Sequence, residues 1–190
     1  WSCRDLAATA LGRISRQFKV LPLANPETYL LCDARGDTLW RFREGAEALQ
    51  EVIPAGTLAG PNGLVSGADE SVWVADTDNR RLLQLVPAED GTFATAREHS
   101  ALNEFTIGKR FYPMLLDRGS DGRLWVAQAA EFSEGQSDLV VYAPEAGARE
   151  VIGLPRGAYA TGVAALEDRI LVTDLELFTV HEVDPDTGDV

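Results

Sequence analysis

The chain has 190 residues, with 30 acidic against 17 basic side chains, a net charge of −13 and a pI near 4.5. It carries no basic stripe, which argues against a nucleic-acid partner. No apolar run approaches the roughly 20 residues needed to cross a bilayer as a helix. Its length and its 45% hydrophobic content suit one domain with its own core.

One phrase recurs along the chain: YLLCD at 29–33, VWVAD at 72–76, LWVAQ at 124–128 and ILVTD at 170–174. Aligned on the last residue, the copies are 43, 52 and 46 residues apart. Each is an apolar β-run closed by a polar residue, then a short loop and a second β-run: TLWRF (38–42), RLLQLV (81–86), DLVVYA (138–143) and FTVHEV (178–183). Strand repeats of this length predict an all-β chain folded as a β-propeller, one blade of about four strands per repeat.

In chain order, residues 1–15 read as outer strands of a preceding blade. The blades themselves fall at about 16–56, 57–105, 106–156 and 157–190. The first opens with FKVLPL (18–23) and turns at ANPE (24–27). The second opens with Asn62-Gly63-Leu64-Val65, turns at SGADE (66–70), and ends in the outer strand FATAREHS (93–100). In the third, Tyr112 to Asp117 forms the inner strand, and the loop AAEFSEGQS (129–137) is long. The fourth begins at Thr161-Gly162-Val163. Both chain ends fall within blades, so the four visible blades are expected to form part of a larger ring.

Inner strands leave one face and second strands return to it. That face gathers Asn62, Tyr112 and Thr161 from strand starts, and Asp33, Asp76, Gln128 and Asp174 from strand ends. The long loop adds Glu131 and Glu134; the segment 101–112 adds Glu104, Lys109 and Arg110, with His99 just before it. Loops on a rigid scaffold are where binding sites are usually built, so Glu104, Lys109, Arg110, Tyr112, Glu131 and Thr161 are candidate substrate contacts. Lys109 and Arg110 form a small positive spot that either is solvated or meets a substrate carboxylate or phosphate. The recurring acids read first as turn holders that accept backbone N–H bonds. Asn62 after Pro61 reads equally as a turn residue or a ligand. His99 and His181 read first as structural, and Cys32 as a small buried hydrophobe. No GxSxG, HExxH, paired CxxC or phosphate-loop pattern occurs. Two cysteines assign no compartment.

The stretch GPNGLVSGADESVWVADTDNRRLLQLVPAEDGTF (60–93) resembles the NHL-type repeats of the senescence-marker-protein, gluconolactonase and luciferin-regenerating propellers, with strictosidine-synthase-like propellers close behind. YPMLLDRGSDGRLWVAQ (112–128) resembles the blade that follows. The resemblance implies a six-bladed ring. It also implies that Asn62, the Asn of PNG, binds a divalent cation such as calcium at the channel, where the metal would promote hydrolysis of a lactone or related ester. The family's Asp at the start of the next inner strand is replaced here by Tyr112, Pro113 and Met114, leaving Glu104 or Glu131 as substitute acids. The competing expectation is a non-catalytic propeller that binds a small molecule or a protein through the loops at 101–112 and 129–137.

Overall fold

The computed structural model describes residues 18–25, 27–99, 112–128 and 137–190. Among them every regular element is a strand, and the strands form four antiparallel sheets, each built from consecutive segments. The first blade holds β1 (Phe18–Pro22), β2 (Thr28–Asp33), β3 (Thr38–Arg43) and the short β4 (Gln50–Glu51). The second holds β5 (Pro61–Ser66), β6 (Val72–Asp76), β7 (Arg81–Pro87) and β8 (Phe93–His99). The third holds β9 (Pro113–Arg118), β10 (Leu124–Gln128), β11 (Asp138–Ala143) and β12 (Ala148–Gly153). The fourth holds β13 (Ala160–Ala165), β14 (Ile170–Asp174) and β15 (Thr179–Val183).

Innermost strands pack in chain order, β1 beside β5, β5 beside β9 and β9 beside β13. Four blades thus stand side by side around an axis, as a β-propeller requires. The second strands form because runs such as VWVAD are apolar on both faces; all five residues of β6 and of β10 are buried. A strand buried on both sides needs a cover on each, and the neighbouring blades provide it.

Three apolar clusters fill the spaces between blades. Leu30, Cys32 and Leu39 of the first blade meet Leu64, Val74, Leu83 and Leu85 of the second. Trp73, Ala75 and Leu82 meet Leu116, Val126 and Val140. Trp125, Ala127, Leu139 and Val141 meet Ile170, Val172 and Val183. The period-2 pattern of each strand divides its side chains between the two interfaces.

Register aligns the repeats residue by residue. Leu39, Leu82, Leu139 and Val180 pair with the residue one before the strand-end polar residue. The first three are 0% exposed, whereas Val180 is 56% exposed. Val180 and the partly covered Leu171 lie on the face that each earlier blade turns toward its successor. No helix among the described residues is long and apolar enough to cross a membrane. The segment 1–15, expected as part of a preceding blade, lies outside the described residues.

Candidate functional site

The polar residues that close the second strands hold loops together. Asp33 accepts from Gly36 N at 3.0 Å and from Trp40 Nε1 at 3.4 Å. Fully buried Asp76 accepts from Ala59 N (2.7 Å), Asn79 Nδ2 (2.9 Å) and Arg81 Nε (2.7 Å). Asp174 accepts from the backbone N–H groups of Tyr159, Glu176 and Leu177, and from His181 Nε2 at 2.8 Å. Burial pushes the Asp174 carboxyl up, but the His181 bond and the backbone donors outweigh it and hold it below the usual range. Each acid is therefore saturated by its own blade, and His181 serves its acid as Arg81 serves Asp76. Gln128, in the same repeat position, is buried, and its Oε1 has no partner among the described residues.

The starts of the inner strands share a different feature. In the second blade Pro61 pairs with Asp76 and Gly63 with Ala75, so Asn62 is an extra residue, a bulge. In the fourth, Ala160 pairs with Asp174 and Gly162 with Thr173, which makes Thr161 the extra residue. In the third, Pro113 pairs with Gln128 and Leu115 with Ala127, which makes it Met114. β-Bulges re-aim side chains and are over-represented beside active sites. The structure thus brings Asn62, Met114 and Thr161 to equivalent positions at one end of three adjacent strands. Tyr112, expected as a strand start, lies one residue before β9, so Met114 and not Tyr112 is the counterpart of Asn62.

Asn62 is fixed by a short chain of hydrogen bonds. Its Nδ2 donates to Gly60 O at 3.0 Å and to Thr77 Oγ1 at 2.9 Å. Thr77 Oγ1 in turn donates to Pro113 O at 2.6 Å. Gly60 O can only accept, and the Thr77 proton is committed to Pro113, so both partners require the amide nitrogen. Oδ1 consequently points away from both, and no donor reaches it among the described residues. Further bonds brace this segment: Cys32 Sγ donates to Pro61 O at 2.8 Å, and Gly60 N donates to Asp37 Oδ1 at 2.7 Å. Burial pushes the Cys32 thiol far above its ordinary range, so it acts as a donor and not as a nucleophile.

Beside this chain Tyr112 Oη donates to Asp78 Oδ1 at 2.8 Å. Burial, and then the Asp78 carboxylate, push the phenol up to about 12. Asp78 sits against Gly60, where a β-carbon would collide with its carboxylate. Thr161 Oγ1 lies 3.2 Å from Thr173 Oγ1 and is exposed. Thr77 and Asp78 were not singled out by sequence, and Met114 only as one of three residues at the place of the family's Asp. Thr77 carries a visible signal, because the second blade alone places a hydroxyl directly after its strand-end residue; the others have Ala34, Ala129 and Leu175 there.

His99 ends β8 and lies away from this group. Its ring stands 5.0 Å from Trp73 and 5.1 Å from Tyr142, and Tyr142 Oη meets its Nδ1. Burial, then the charges of Arg97 and Arg149, lower its proton affinity. It is an interblade packing residue, in line with its structural reading. Glu104, Lys109, Arg110, Glu131 and Glu134 lie outside the described residues.

The expected calcium ion can be tested against the donors present. Calcium takes six to eight oxygen ligands, with carboxylates prominent among them. The three bulges offer one amide oxygen, one thioether and one hydroxyl, and a thioether is a soft ligand. Among the described residues no three His, Cys, Asp or Glu side chains gather to hold a metal. The described residues by themselves do not make a calcium site. They make a neutral, hydrogen-bonding rim with one carboxylate, Asp78, at its side.

No family model and no curated protein matches the chain. Solved structures do. A catalytically inactive variant of virginiamycin B lyase from Staphylococcus aureus, with quinupristin, is 15% identical over 87% of this chain and 51% of its own, with a TM-score of 0.66. The periplasmic gluconolactonase of Pseudomonas aeruginosa is 16% identical over 89% and 50%, with a TM-score of 0.63. A nidogen/laminin complex contains a chain that is 16% identical over 83% and 55%, with a TM-score of 0.60. The chain spans about half the length of these structures. Identities this low speak for the fold alone, and this chain has the propeller fold that gluconolactonases and streptogramin B lyases share.

Proposed function

We propose that this chain carries the ligand-binding face of a gluconolactonase-like propeller, and that it takes a small, neutral, hydroxylated molecule of the lactone class at the Asn62–Met114–Thr161 rim. The observation that carries this reading is the forced orientation of the Asn62 amide. A fixed Oδ1 with no donor among the described residues is an acceptor for a ligand hydroxyl, and the exposed Thr161 adds a second oxygen. Met114 supplies an apolar edge. Preorganised acceptors of this kind bind without paying for reorientation. The open outward face of the fourth blade fits a six-bladed ring in which a further blade covers Val180 and Leu171, as each described blade covers its predecessor.

Metal-dependent hydrolysis of a lactone is the second reading, favoured by the same open Oδ1. It requires acids beyond the three bulges, for which Glu104 and Glu131 are the candidates by sequence. D-galactono-1,4-lactone separates the two. Saturation-transfer NMR should show binding that weakens about tenfold in Asn62→Ala, the scale of one lost hydrogen bond of about 1.4 kcal/mol. Calcium-stimulated acid release in a pH-stat would establish the hydrolase instead. No binding in either form would remove both.

A further inference from the structure

At the opposite end of the strands, the first and second blades part around a cleft of about 810 Å³. That volume lies within the range of small-molecule pockets. Its walls are mixed, with Pro22, Leu23, Val72 and Phe93 forming an apolar part beside polar side chains such as Thr28 and Gln50. Two cations, Arg41 and Arg43, line it beside a single acid, the exposed Glu70.

The two arginines break the repeat pattern. Residues 39, 41 and 43 alternate along β3 and share the face turned to the second blade. The corresponding triplets are Leu82, Gln84 and Val86 in β7, and Leu139, Val141 and Ala143 in β11. Only the first blade puts two positive charges there, in a protein with a net charge of −13. Neither forms an ion pair among the described residues. Arg41 donates to Gly91 O and lies over the Phe93 ring at 5.9 Å, which leaves its buried Nε without a partner. Burial, and then the charge of Arg43, lower its proton affinity. Two like charges held together with no counter-ion among the described residues repel each other, and a bound anion would relieve that.

We infer that this cleft is a second binding site, separate from the Asn62 rim, for a small organic carboxylate with an apolar body. The guanidinium pair would take the carboxylate, since the planar fork matches its two oxygens. The apolar part of the walls would take the tail.

Octanoate and octan-1-ol, titrated calorimetrically into the 190-residue chain, test this. Octanoate should bind with one-to-one stoichiometry and at least tenfold more tightly than octanol. Arg43→Gln should weaken octanoate about tenfold while leaving octanol binding and the urea midpoint unchanged, because Arg43 is exposed and has no ion pair among the described residues. Arg41→Lys, which keeps the charge and loses the fork, should weaken octanoate as well. Asn62→Ala should leave octanoate binding intact, which keeps this site distinct from the rim. Equal binding of acid and alcohol, non-saturating heats, or indifference to Arg43→Gln would each overturn the inference.

Discussion

Single residues in this chain do one of two jobs, and their hydrogen bonds separate them. Asp76 is fully buried, and its three donors come from two loops and from β7. Asp76→Ala would take the acceptor from Ala59 N–H, Asn79 Nδ2 and Arg81 Nε, although the Arg81 guanidinium keeps Glu98 and the Thr57 carbonyl. Breaking a buried pair costs several kcal/mol, so urea unfolding should show a loss of about 3 kcal/mol. His99 gives a pH signature. Its folded proton affinity lies below the ordinary imidazole value of 6.5, so the unfolded chain binds the proton more readily. Its contribution is complete above about pH 6.5 and declines as pH falls below that. Between pH 7.5 and 5.5 the melting temperature of the wild-type chain should fall more steeply than that of His99→Gln. Equal slopes would contradict the lowered affinity. The structural role of the strand-end acids was legible in sequence, because an acid recurring at one repeat position is holding a repeated turn. The orientation of Asn62 was not legible. It depends on Thr77, 15 residues later, and on the carbonyl of Pro113, 51 residues later, and no local pattern encodes either partner.

At the scale of the element, the second strands were the easiest to read. Continuous apolar runs flanked by Gly, Asp and Asn specify strands and turns directly, and β10 and β14 coincide with the repeated phrases. The bulges were hidden. A one-residue slip between β9 and β10 leaves the apolar pattern nearly unchanged, so sequence offered Tyr112, Pro113 and Met114 for one place, and the structure puts Met114 there. Gly63 shows why the second-blade bulge is followed by glycine. A β-carbon there would come within 2.5 Å of Leu116 Cδ2 and 2.9 Å of Met114 O. The inner strands β5 and β9 approach closely because that carbon is missing. The Met114 carbonyl is backbone and cannot swing aside. Gly63→Ala should therefore cost about 1–3 kcal/mol, the usual range for overpacking, read as a lower denaturant midpoint with an unchanged slope. An unchanged midpoint would mean that the strands separate freely.

The whole molecule is an arc of blades whose faces alternate between giver and receiver. Each interface buries a Leu at the same repeat position, until Val180 meets solvent. Fold class followed from repeat length and strand pattern, which are properties of the whole chain and survive local errors. Function did not follow, because solved propellers of this shape include a lyase, a lactonase and a member of a nidogen/laminin complex, and a fold hosts unrelated chemistries. What distinguishes this chain is the set of side chains on three bulges: an amide, a thioether and a hydroxyl, where a hard cation would call for carboxylates. Melting the chain in millimolar calcium and again in excess chelator tests that claim most directly, because a ligand bound only by the folded state raises the melting temperature by mass action. The melting temperature should be the same in both, for the wild-type chain and for Asn62→Ala. A calcium-dependent rise that disappears in Asn62→Ala would contradict that claim and make this face a metal centre.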